Sequence, residues 1–105
     1  MTIQVNSDSN VDMDGALTAS IEENVNSALA RFSDQITRVE VHLSDVNGER
    51  FGNYDKRCLL EARVTSRNPV AVTEEAATVE QAVQGATRKM SRLLNSQFGR
   101  LEARK

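Results

Sequence analysis

Thr78–Leu101 reads TVEQAVQGATRKMSRLLNSQFGRL, and its periodicity decides how the rest of the chain is read. Val79, Val83, Ala86, Met90, Leu93, Leu94 and Leu101 recur at three- and four-residue steps. At about 100° per residue they form one apolar stripe along an α-helix. Thr78-Val79-Glu80-Gln81 fits a capping box, in which the hydroxyl accepts from the third residue's N–H and the glutamine reaches back to the cap. The opposite face carries Gln84, Arg88, Arg92 and Asn95, with Lys89 and Arg100 on the flanks. One side of this helix can hold a core while the other presents positive charge. Gly85 interrupts it, where alanine would be about 1 kcal/mol better. Close approach of another backbone is the expected packing reason.

Working outward, Thr2–Asn6 alternates, with Ile3 and Val5 on one side, and reads as a short strand. Asn6–Asp14 is polar and turn-rich, and either Asp12 or Asp14 suits the N-cap of a following helix. That helix is predicted from Gly15 to about Phe32, on the spacing of Leu17, Ile21, Val25, Ala28, Leu29 and Phe32. Ser33-Asp34 ends it. Ile36–Ser44 alternates again: Val39, Val41 and Leu43 face one way and Arg38, Glu40, His42 and Ser44 the other. One buried face favours an antiparallel setting. Asp45–Lys56 is a hydrophilic loop with an Asn47-Gly48 turn signal. Its length exceeds that of a plain hairpin, which marks it as a mobile or contact-making connection.

Arg57–Ser66 reads as a third strand with Cys58, Leu60, Ala62 and Val64 inward, and Arg67-Asn68-Pro69 turns the chain. Val70–Thr73 is a short fourth strand with Val70 and Val72 inward, and Glu74–Ala77 leads to the capping box. The order βαβββα predicts a two-layer α+β sandwich, with two helices packed on one face of a four-stranded sheet. The other face, lined by Arg38, His42, Leu59, Glu61 and Arg63, is expected to be open.

The totals bound the function classes. A chain of 105 residues is read as one domain, 1–105. With 39% hydrophobic and 27% charged residues it has an ordinary globular composition. No apolar run approaches the roughly 20 residues of a membrane helix, and MTIQVNSDSN lacks the basic and apolar parts of a secretory signal. A lone cysteine, Cys58, excludes an internal disulfide, and a reducing cytoplasm is the simple reading. Charge is unevenly spread. Residues 1–30 hold five acids and no Lys or Arg. Residues 88–105 hold six cations (Arg88, Lys89, Arg92, Arg100, Arg104, Lys105) against Glu102, a balance of +5 in a chain of net charge −2. The sequence pI of 5.4 is nevertheless far below that of a dedicated nucleic-acid domain, which usually exceeds about 9.

No catalytic constellation is present, and the chain is not expected to be an enzyme. His42 is the only histidine and lies on a polar strand face, without an indicated partner for general-base work. Cys58 takes an inward strand position, where a structural thiol is the plain reading and a nucleophile would need access and a lowered pKa. His42, Asp45 and Asp55 match no recognised metal spacing. Gly48 and Gly52 belong to neither GxxxxGK[ST] nor GxGxxG, so no nucleotide cradle is predicted. No cofactor, metal or small-molecule substrate is expected. The basic face has two readings. Arg88 and Arg92, one turn apart, suit phosphate contact with counterion release. Equally, cations at a helix C-terminus and acids at its start (Glu74, Glu75, Glu80) complement the helix dipole.

Three stretches carry a family resemblance. They are Phe32–Gly48 (FSDQITRVEVHLSDVNG), Asp55-Lys56-Arg57-Cys58 followed by Glu61-Ala62-Arg63, and Thr78–Leu94 with its small residues Ala82 and Ala86 and its basic second half. In order and spacing, from Ile3 to about Arg100, the chain resembles the short members of the bacterial ribosome-associated inhibitor and hibernation-promoting factor family, also called sigma-54 modulation or ribosomal subunit interface proteins. The resemblance implies the βαβββα fold and a non-enzymatic translation regulator. It would bind ribosomal RNA of the small subunit, where messenger and transfer RNA sit, and so inhibit translation and preserve idle ribosomes under stress. It further implies a cytoplasmic protein, monomeric or weakly homodimeric, without a membrane partner. Carried over to this chain, the RNA-binding residues are Arg31, Arg88, Lys89, Arg92 and Arg100, with Arg38, Lys56, Arg57 and Arg63 as weaker candidates. The chain departs from the family pattern in the second half of its first helix, Asn24–Arg31, where Arg31 replaces the usual several lysines. The alternative is therefore a diverged member of the same fold that acts as a protein-interaction or regulatory module without RNA binding.

Overall fold

The computed structural model describes residues 1–8, 11–45 and 56–99. Its elements are β1 (Thr2–Ser7), α1 (Gly15–Leu29), a 3₁₀ turn (Ala30–Phe32), β2 (Ile36–Asp45), β3 (Lys56–Val64), β4 (Val70–Ala76), α2 (Val79–Leu94) and a π-helical turn (Asn95–Gly99). The strands form one sheet in the order β1-β2-β3-β4. The predicted βαβββα two-layer α+β arrangement is the observed one. The loop expected from Asp45 to Lys56 lies largely outside the described residues.

The rows that build the core follow from strand alternation. Val39, Val41 and Leu43 of β2 stand opposite Ala62, Leu60 and Cys58 of β3, and all six are buried. Ile3 and Val5 extend the row into β1, opposite Val39 and Val41. Val70 and Val72 extend it into β4. Ile21, Val25 and Leu29 of α1, and Ala82, Val83, Ala86, Met90 and Leu94 of α2, close the same core from above. Complete burial of a side chain such as Leu60 or Met90 is worth about 1.5–3 kcal/mol, which sets the scale of what holds the two layers together. α1 packs on β1, α2 packs on β3 and β4, and the two helices lie side by side.

Both helix starts use the predicted chemistry. Asp14, with extended backbone, accepts from the Leu17 N–H at 2.7 Å, so Asp14 rather than Asp12 is the cap. Thr78 accepts from the Gln81 N–H at 3.1 Å, the hydroxyl half of the capping box.

Four details differ from the sequence reading. β2 is antiparallel to β3 but parallel to β1, because the α1 crossover returns the chain in its original direction, which a simple hairpin cannot do. β4 runs on to Ala76, beyond Thr73, because Glu74 and Glu75 pair with Cys58 and Arg57 of β3. β3 stops at Val64, where the Arg67 N–H bonds back to the Val64 carbonyl at 3.2 Å and Ser66 takes a left-handed φ of 62°. The α-helical part of the last helix ends at Leu94, and the π turn carries the chain on.

Gly85 also has a different reason from the one expected. The atoms nearest to where its Cβ would be belong to the Glu74 side chain and not to another backbone. Glu74 stands on the core-facing row of β4, opposite Cys58 and beneath α2. An inward charge on an edge strand discourages pairing with another chain, and the missing side chain at Gly85 makes room for it.

Candidate nucleic-acid interface

The apolar stripe of α2 faces the sheet, so Gln84, Arg88, Arg92 and Asn95 face outward, and all four are exposed. Arg88 and Arg92 are four residues apart, about 6 Å along the axis. Among the described residues neither forms an ion pair. Arg88, with Gln81 and Gln84 of α2, borders a shallow groove that Glu74 and Glu75 of β4 also line, but both carboxylates there are already engaged, Glu74 by Lys89 and Glu75 by Arg57.

Arg31 sits in the 3₁₀ turn that follows α1. Because the helices pack side by side, its guanidinium reaches the end of α2, where Nη2 donates to Asn95 Oδ1. It also lies 4.7 Å from the Phe32 ring centroid. Both partners are neutral, and among the described residues no acid pairs with Arg31, so its charge is uncompensated there. The fold thus joins Arg31 to the Arg88–Arg92 line, about one turn beyond Arg92, a proximity the sequence left conditional.

Lys89 is in a different state. Its Nζ donates to the Thr73 carbonyl at 2.7 Å and lies 2.9 Å from Glu74 Oε1. The pair is half-exposed, so it contributes little stability, yet it cancels the charge Lys89 would offer a phosphate. Arg100, with Arg104 and Lys105, lies outside the described residues.

The four strand-region candidates do not join the α2 face. Arg38 and Arg63 lie on the helix-free side of the sheet, 3.5 Å and 3.8 Å from the half-buried Glu40 carboxylate. Arg57 is on the same side and donates to Glu75, its register partner on β4, at 2.9 Å. Lys56 pairs with Asp45 at 2.9 Å across the β2–β3 ladder, at the far end of the strands. The sheet face expected to be open is therefore free of helices but partly covered by its own ion pairs.

Two residues escaped the sequence reading. Phe98, in the π turn, packs on Phe32 with ring centroids 6.2 Å apart. Arg67, in the β3–β4 turn, lies over Phe98 at 5.0 Å. The available signal was Phe98 falling four residues after Leu94, in line with the stripe. For Arg67 nothing local distinguished it from a solvated turn residue.

Cys58 is buried between strand and helix, and burial pushes its thiol up to about 12, away from nucleophile duty. His42 has an acid neighbour after all, Glu40, but at 3.7 Å the two are too far apart to hydrogen-bond. Among the described residues no three His, Cys, Asp or Glu side chains gather as a metal site. No described helix is long and apolar enough to cross a membrane.

The chain belongs to the Sigma 54 modulation protein / S30EA ribosomal protein family, whose model matches residues 3–102. That description is not one of an enzyme family. The fold resembles the N-terminal domain of Protein Y from Thermus thermophilus at TM-score 0.72 and 20% identity, over 91% of this chain and 98% of that one. It also resembles a ribosomal subunit interface protein from Coxiella burnetii at TM-score 0.70 and 17% identity, over 94% and 99% of the two chains. No curated protein sequence matches it.

Proposed function

We propose that this protein is a non-enzymatic translation regulator that docks on ribosomal RNA of the small subunit, inhibiting translation and preserving idle ribosomes under stress, in the cytoplasm. The observation that carries this reading is the convergence of Arg31, Arg88 and Arg92 on one exposed surface with their charges uncompensated. Such cations neutralise phosphates and release counterions, a term that can drive binding even from a protein of negative net charge. Membership of a family described in part as ribosomal supports the same partner. So do the names of the two similar structures, Protein Y and a ribosomal subunit interface protein. Lys89 is a secondary contact, available once a phosphate displaces Glu74. Arg38, Lys56, Arg57 and Arg63 lie off this face and are held in ion pairs of their own.

Co-sedimentation with small ribosomal subunits through a sucrose cushion, at low and moderate salt, tests the reading. The protein should pellet at low salt and be released as salt rises. The Arg88→Glu/Arg92→Glu chain should lose binding and flatten the dependence of log Kd on log salt by about 1.4–1.8, for two lost contacts. Unchanged binding of that variant would remove the site assignment. A specific observation favours the interaction-module alternative: the exposed face of α1 carries Glu22 and Glu23 and no cation before Arg31. Protein that stays in the supernatant at low salt and forms a concentration-dependent dimer would establish it.

A further inference from the structure

The corner at the end of α2 holds more than the cation line needs. Four side chains from three separate segments meet there in a row: Arg31, Phe32, Phe98 and Arg67. The Arg31 guanidinium lies 4.7 Å from the Phe32 centroid, the two rings are 6.2 Å apart and tilted by 38°, and the Arg67 guanidinium lies 5.0 Å from the Phe98 centroid. Phe32 is buried and Phe98 half-buried, while both arginines are exposed. The aromatic pair is thus covered at each end by a guanidinium, and Arg67 is itself exposed.

Hydrogen bonds hold the backbone under this row. The turn that carries Arg67 is closed by its N–H on the Val64 carbonyl at 3.2 Å, with Ser66 at a left-handed φ of 62°. Phe98 is brought round by the π turn, whose first residue, Asn95, bonds through its N–H to the Ser91 and Arg92 carbonyls and through its side chain to Arg31. Electrostatically the corner is positive. Segments 31–35, 65–69 and 91–99 hold Arg31, Arg67 and Arg92 against Asp34 alone. Arg67 has no acid partner among the described residues.

We propose that Arg67, backed by Phe98, is a stacking platform for an unpaired RNA base at the end of the Arg31–Arg88–Arg92 phosphate line. The proposal rests on the RNA-docking reading and names a contact that reading does not include. Unpaired bases stack on aromatic rings and on arginine guanidinium planes. A guanidinium already lying over a ring has lost much of the freedom that stacking would otherwise remove. A guanidinium carries its N–H donors in the plane of the group, so an exposed arginine can stack a base and bond a neighbouring phosphate. A purely structural staple would need only a cationic side chain whose stem covers Phe98. Lysine would serve that purpose, but it has no plane on which a base can stack.

Fluorescence anisotropy tests this with two labelled six-nucleotide RNA probes of equal charge, oligoadenylate and its abasic counterpart, on the wild-type chain and on Arg67→Lys and Arg67→Ser. The wild type should prefer oligoadenylate by about 5- to 150-fold, the range for one stacked base. Arg67→Lys should keep its affinity for the abasic probe and lose the preference, and Arg67→Ser should lose the preference and weaken on both probes. Circular dichroism of each variant checks that the fold is intact. Equal affinity of the wild type for the two probes, binding of neither, or a preference that survives Arg67→Lys would each overturn the platform. If small subunits still pellet with the protein in that case, the docking reading stands without it. If they do not, both fall.

Discussion

Gly85→Ala should be unfavourable in this protein although alanine is the better helix former, and the reason is a single side chain on the strand below. Alanine in a helix interior gains about 1 kcal/mol over glycine. A Cβ at position 85, however, would lie 2.5 Å from Glu74 Cγ and 2.7 Å from Cδ, well inside the 3.5–4.0 Å at which carbon atoms rest. Glu74 must therefore swing out. It then gives up its place over the core-facing row and its 2.9 Å pair with Lys89. The pair is half-exposed and worth less than about 1 kcal/mol. Overpacking of this kind, the lost pair included, costs about 1–3 kcal/mol. Set against the propensity gain, Gly85→Ala should cost about 0–2 kcal/mol.

Removing Glu74 reverses the sign. In a Glu74→Ala background nothing opposes the new methyl group, and Gly85→Ala should stabilise by about 1 kcal/mol. The four proteins form a double-mutant cycle with a coupling of about 1–3 kcal/mol, the size expected for residues in direct contact. Urea unfolding followed by circular dichroism measures it. In thermal melts each kcal/mol corresponds to about 4–8 °C for a domain of this size. A gain of about 1 kcal/mol for Gly85→Ala in both backgrounds would show that Glu74 does not occupy the space above Gly85, and the account of this glycine would be wrong.

Two further outcomes follow from charge and burial. Burial raises the Cys58 thiol from its ordinary value of 9.0 to about 12, so the folded chain holds this proton where the unfolded chain releases it. The associated stability is fully present below pH 9 and is lost as pH rises toward 12, at up to about 1.4 kcal/mol per pH unit. Urea midpoints of wild type and Cys58→Ala, compared over that window, should converge as pH rises, and parallel curves would refute the assignment. Glu74→Gln should release the Lys89 charge, so ribosome binding should strengthen at low salt and its log–log salt slope steepen by about 0.7–0.9. An unchanged slope would mean that Lys89 does not face phosphate.

Among these residues, the sequence determined whatever depends on a residue's near neighbours. The stripe from Val79 to Leu94 and the alternation from Ile36 to Ser44 mark helix and strand because side-chain direction repeats every 3.6 or 2 residues. The Thr78 cap was legible for the same reason, since it satisfies an N–H three residues away, and the cap of α1 was narrowed to Asp12 or Asp14, of which the structure uses Asp14. From these periods the inward rows, the number of layers and the outward placement of Arg88 and Arg92 all follow. The extent of β4 was not legible, because Glu74 takes an inward position and so breaks the apolar alternation by which a strand is recognised.

The tertiary structure alone decided which cations keep their charge. Arg57 stands opposite Glu75 only through the β3–β4 register, Arg63 reaches Glu40 only across the β2–β3 ladder, and Lys89 finds Glu74 because α2 lies over the edge strand. Likewise Arg31 reaches Asn95, 64 positions away, only because the two helices pack side by side on the sheet, and Arg67 meets Phe98 only where a turn and a π-helical end converge. Coulomb attraction and stacking act over a few ångströms of space and are indifferent to separation along the chain. The positive charge was therefore countable in the sequence, but its pairing, and with it the candidate interface, took shape only when the layers closed.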